Sequence, residues 1–180
     1  IPLRLVGSEM CIRDSYEVQY RREGDTTWAT LRKGLTETIA VWDTTTVPNG
    51  TYFVRIVASD AQSNAPDRAL SGELESAAFD IDNTPASFSP PRVRTEGTRT
   101  LVGIDVRDDQ SPIQRLEYSR DGLSWTPVFP TDGIADSKVE SYEIAVEGEL
   151  GPRGLILRAI DALNNGSTTQ VPAPVAAPRR

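Results

Sequence analysis

The chain is predicted to be all-β, built as two tandem antiparallel β-sandwiches of which the first lacks its N-terminal strands. Three features lead there. The pattern A-x-D-A-x-x-N occurs twice, as Ala58-Ser59-Asp60-Ala61-Gln62-Ser63-Asn64 and as Ala159-Ile160-Asp161-Ala162-Leu163-Asn164-Asn165, which marks repeated modules. Upstream of each copy, an alternating segment ends in an aromatic and a polar turn before a tryptophan, Tyr16 to Trp28 and then Ile113 to Trp125. Apolar residues recur with period 2 rather than with helical spacing, and 13 glycines and 13 prolines supply turns between short strands.

Residues 1 to 15 hold the only Cys and the only Met, and the composition changes at Tyr16. The run Leu5 to Ser15 closely resembles a peptide produced when sequencing-adapter DNA is translated, so 1–15 is read as an artefact and set apart from the fold. A genuine strand entering the first module is the alternative. A signal peptide does not fit, because the apolar stretch is short and interrupted by charges. With Ile at position 1, the chain is expected to be a fragment whose start lies upstream.

The first module is expected over 16–82. Tyr16, Val18 and Tyr20 face one way and Glu17, Gln19 and Arg21 the other, and Tyr52, Val54, Ile56 and Ala58 repeat the alternation with Arg55 and Ser59 outward. Further strands are expected at 28–32, 39–42 and 77–81. Turns fall at Glu23-Gly24-Asp25, Val47-Pro48-Asn49-Gly50 and the polar run Asp60 to Asp67. A linker, 83–86, leads to the second module at 87–171. Its strands are expected near 87–94, at 101–107 with Val102, Ile104 and Val106 inward, around Leu116 and Tyr118, and at 125–129, 142–146, 155–159 and 168–171, with a hairpin turn at Arg120-Asp121-Gly122. The first module begins at the equivalent of the third strand of the second, so it should be marginal alone. Any pairing of 1–15 into its gap is expected to be opportunistic.

The first module resembles a fibronectin type III domain. Tyr16-Glu17-Val18-Gln19-Tyr20 before Trp28 is similar to its third-strand segment, and Val47-Pro48-Asn49-Gly50-Thr51-Tyr52 to its corner, with Tyr52 in the place of the corner tyrosine. The second resembles the Ig-like repeats that occur in tandem in large bacterial surface or secreted proteins, on Asp108 to Ile113, Asp121-Gly122-Leu123-Ser124-Trp125 and Asp161 to Asn165. Asp82-Asn83-Thr84-Pro85 is similar to the link between such repeats. Arg153 stands where a corner tyrosine would be, so the likeness is looser there, and no Arg-Gly-Asp loop is present. The resemblance implies a spacer, or an accessory or ligand-binding part, of an extracellular or periplasmic protein.

Composition narrows the chemistry. With no histidine in 180 residues, Ser-His-Asp, Cys-His and HExxH schemes all fail. Cys11 cannot form an internal disulfide. A net charge of -7 without a Lys/Arg cluster argues against nucleic acid, and no apolar run is long enough for a membrane span. No catalytic residue and no cofactor is assigned.

Strand topology should gather oxygen ligands at one pole of the second module: Asp108 and Asp109, with Asp105, end one strand, and Asp161 and Asn165 end another. These are candidates for calcium, although turn chemistry accounts for such residues without an ion, and the spacing matches no dedicated calcium pattern. Asp60 and Asn64 are their first-module counterparts. Trp28 and Trp125 occupy equivalent places, as structural residues do. Trp42 is less constrained and is the candidate ligand aromatic. The sequons at Asn49 and Asn165 sit at Asn-Gly turns, whose geometry explains them. Glu140, Glu143, Glu147 and Glu149 read as a solvated strand face rather than paired catalytic carboxylates. The tail from 172 to 180 is Pro/Ala-rich and expected to be extended. The expected function is a non-catalytic spacer or protein-interaction segment of a larger bacterial extracytoplasmic protein, with protein or polysaccharide as partner. The alternative is a carbohydrate- or calcium-binding accessory module of an extracellular hydrolase or sensor.

Overall fold

The computed structural model describes residues 2–4, as backbone, and 15–173. Most of the adapter-like stretch, Cys11 included, and the tail beyond Ala173 lie outside the described residues. The fold is all-β and antiparallel; among the described residues the only helical element is one 3-10 turn, Thr44–Thr46. The chain divides into two compact units between Asn83 and Thr84.

The first unit contains β1 (Pro2–Arg4), β2 (Ser15–Arg22), β3 (Ala29–Leu35), β4 (Ile39–Val41), β5 (Gly50–Ser59), β6 (Ser71–Glu75) and β7 (Phe79–Ile81). One sheet runs β3-β2-β5-β6, and β7 pairs with β5 beyond the end of β6, so β6 and β7 form one interrupted edge. The other layer is thin: among the described residues it consists of β4 and β1, with Leu3 opposite Ala40. A short piece of backbone thus pairs with β4, as any segment offering free N–H and C=O groups can.

Between these layers Val18, Ala40, Trp42, Tyr52, Val54 and Ile81 form the core. The Tyr52 hydroxyl donates to the carbonyl of Pro48 at 2.7 Å, four residues upstream, and so ties the corner to the sheet. Burial pushes its phenol upward in pKa, the nearby Arg22 charge opposing. Strand β6 was not foreseen. Every residue in it is exposed, so its sequence carries no inward row to betray it.

The second unit contains β8 (Ser87–Phe88), β9 (Arg92–Glu96), β10 (Arg99–Arg107), β11 (Ile113–Ser119), β12 (Thr126–Val128), β13 (Val139–Glu147), β14 (Leu155–Asp161) and β15 (Gly166–Val171). One sheet is β13-β10 with β8 and β9 in turn on the far side of β10; the other is β12-β11-β14-β15. The strand expected near 87–94 is broken at Pro90-Pro91, which cannot donate to a ladder. Inward rows close the sandwich: Val102, Ile104 and Val106 on β10, Tyr142 and Ile144 on β13, Ile113 and Leu116 on β11, Leu155, Leu157 and Ala159 on β14. Outward positions carry cross-strand ion pairs, Arg99 with Glu147, Arg94 with Glu143 and Arg158 with Glu117.

Candidate functional site

The inward rows of the second unit do not stop where the apolar residues stop. On β10 the series Val102, Ile104, Val106 reaches Asp108 two residues on, and on β14 the series Leu155, Leu157, Ala159 reaches Asp161. Both aspartates are buried, at 4% and 0% exposure. Because β10 and β14 belong to opposite sheets, each sheet delivers one carboxylate to the same end of the core. A carboxylate oxygen of Asp108 and one of Asp161 lie within 4.8 Å of each other.

Local turns orient both groups. Asp108 Oδ1 accepts the N–H groups of Gln110 and Ser111 at 2.7 and 2.8 Å, an Asx-type turn that reverses the chain toward β11. Its other oxygen, Oδ2, is buried without a hydrogen-bond partner among the described residues. Asp161 Oδ1 accepts the N–H groups of Leu163 and Asn165, and Oδ2 accepts the Asn165 side-chain amide at 2.9 Å. Among the described residues no Lys or Arg forms an ion pair with either carboxylate. Two carboxylates so close and away from water repel unless a positive charge joins them.

Of the other residues expected at this pole, Asp109 and Asp105 go elsewhere. Asp109 is exposed and pairs with Arg107 at 2.8 Å, so it points into solvent. Asp105 faces outward, held by Arg92 and Ser141; hydrogen bonding from Arg92 and then Ser141 lowers its pKa below the ordinary value. Asn165 turns its amide nitrogen to Asp161 and acts as an orienting residue.

In the first unit Asp60 likewise follows an alternating row, Tyr52, Val54, Ile56 and Ala58. It is only half-buried, and its Oδ1 takes the N–H of Leu70. The strand that would present an opposing aspartate, as β10 presents Asp108, is not among the described elements of this unit. The two copies of A-x-D-A-x-x-N therefore have different surroundings.

Trp42, the candidate ligand aromatic, is buried in the core: at 4% exposure it packs against Tyr20 at 4.7 Å and meets Tyr52 and Phe79 edge-on. It directly follows β4 and belongs to the core of the first unit. Trp28 is half-buried under the guanidinium groups of Arg55 and Arg21 at 4.5 and 4.9 Å, and Trp125 under Arg158 at 4.1 Å. Arginine lies over each ring, a contact that alternation does not reveal.

Two further details escaped the sequence. Glu140 is buried rather than solvated: it occupies an inward position opposite Val106 and accepts the N–H groups of Asp136 and Ser137. The left-handed residue in the Asp161 turn is Asn164, at φ 66, with Gly166 already the first residue of β15. The sequon asparagines Asn49 and Asn165 donate their side-chain amides to Asp82 and Asp161 respectively. Comparison with protein-family models, curated proteins and solved structures returned no match.

Proposed function

We propose that this chain is a non-catalytic β-sandwich segment, a spacer or protein-interaction piece of a larger extracytoplasmic protein of bacterial type. The observation that carries this reading is the treatment of the sheet faces. The outward rows of the second unit are laced by cross-strand ion pairs, and the tryptophans lie in the core or under arginine. Such faces suit a module that must stay folded and separate from its neighbours. The likeness to fibronectin type III and bacterial Ig-like repeats supports the same role and the extracytoplasmic setting.

A glycan-array and plate-based hydrolase screen of the 180-residue chain tests this. The spacer reading expects neither saturable glycan binding nor turnover. Saturable binding abolished by Trp28→Ala or Trp125→Ala would replace it with the carbohydrate reading, and turnover by purified chain would replace it with an enzyme.

A further inference from the structure

We propose that the paired aspartates at the end of the second sandwich, Asp108 and Asp161, form a site for a hard divalent cation, with Ca2+ the best match. Two observations carry this independently. The first is convergence: carboxylates from opposite sheets, both more than nine-tenths buried, bring oxygens within 4.8 Å of each other and pair with no basic side chain among the described residues. The second is the orphaned oxygen. Asp108 Oδ1 is occupied by two backbone N–H groups, while Oδ2 is buried with no partner among the described residues, an expensive state for a charged atom unless something positive sits against it.

Asp161 Oδ2, which among the described residues accepts only the Asn165 amide, keeps a second acceptor direction for the same ion. The turns fix both carboxylates before any ion arrives, so the groups that would hold it need little reordering.

Ligand type selects the ion. Oxygen donors without nitrogen or sulfur suit Ca2+ or Mg2+ and not Zn2+, which prefers His and Cys. Calcium tolerates irregular coordination completed by water and backbone carbonyls, whereas Mg2+ demands a near-octahedral shell. With two carboxylates from this unit, affinity should fall in the weak range of extracellular modules, about 10⁻⁴ to 10⁻³ M. The consequence is mechanical: the ion would join the loop after β10 to the loop after β14 and so stitch the two sheets at one end. This does not rest on the spacer reading, since a cation site is compatible with any role for the module.

The test is isothermal titration of Ca2+, and separately Mg2+, into the EDTA-stripped chain, with thermal unfolding of the second unit followed in parallel. Expected are saturable Ca2+ binding, weaker Mg2+ binding, and a transition raised by roughly 5–10 °C when Ca2+ is about ten times its dissociation constant, corresponding to an unfolding constant lowered about elevenfold. Asp108→Asn keeps an oxygen for the Gln110 and Ser111 amides and should fold, yet lose the Ca2+ response. No saturable binding by the wild-type chain up to about 10 mM Ca2+, well above that affinity range, would overturn the proposal. So would an undiminished response in D108N. Should D108N fail to fold, the wild-type titration decides alone.

Discussion

Asp161→Ala removes the carboxylate on which the end of β14 is organised, and its cost follows from the hydrogen bonds. Three donors lose their acceptor: the backbone N–H groups of Leu163 and Asn165 at 2.8 and 2.9 Å and the Asn165 amide at 2.9 Å. The side-chain amide can turn toward water; the two backbone donors are partly shielded and should cost about 1–2 kcal/mol each. Deleting a buried charge beside Asp108 returns some of this in metal-free buffer, so the net loss is about 1–3 kcal/mol. For a unit of about 100 residues this lowers the transition by roughly 5–15 °C. Asp161→Asn retains an oxygen for both backbone donors and should cost about 1 kcal/mol or less. Calorimetry in EDTA measures both variants, and hydrogen exchange of β14 peptides assigns the transition to the second unit. If D161A unfolds within about 0.5 kcal/mol of wild type, or if D161N falls as far as D161A, the hydrogen-bond account of this turn is wrong.

Tyr52→Phe deletes the hydroxyl that donates to Pro48 and should cost the first unit about 1–2 kcal/mol, read as a lower urea midpoint at unchanged m-value; an unchanged midpoint would deny the corner any structural weight. Gly154→Ala places a methyl 1.9 Å from the Val171 carbonyl oxygen at a φ of +67°, so β15 must shift; a loss of about 3 kcal/mol or more in the second unit is expected, and wild-type stability would contradict it. Asp121 is held at about 2 by the N–H groups of Ser124 and Leu123 and the Ser119 hydroxyl. Its folded value is depressed, so its contribution to stability is complete above the ordinary value of 3.8 and is lost as pH falls through about 2. Carbon-detected NMR titration should place its midpoint near 2, and a midpoint near 3.8 would count against the turn geometry.

Period-2 alternation was legible wherever one face of a strand is dry and the other wet. Val102, Ile104 and Val106 alternate because the core takes every second side chain, and all three are fully buried. Tyr52 stood out because its corner has a local signature as well as an inward position. Where that contrast fades, the sequence falls silent: β6 has no buried face, and β4, at three residues, is too short to display a period, which is why Trp42 beside it reads as less constrained. The aspartate pair was half legible. Continuing the inward rows by one step reaches Asp108 and Asp161, but Asp60 ends a similar row and stays only half-buried.

By itself, then, the sequence determined the all-β class, the doubling of the module, the inward rows and the turns, since each depends on neighbours within a few residues along the chain. Only the tertiary structure decided which row ends meet. Asp161 is buried because β10 in the opposite sheet brings Asp108 to the same end of a complete sandwich. Asp60, with no such strand opposite it among the described elements, spends its carboxylate on the Leu70 amide instead. The environment of a side chain is set by strands distant in sequence, and the same seven-residue pattern therefore has two fates.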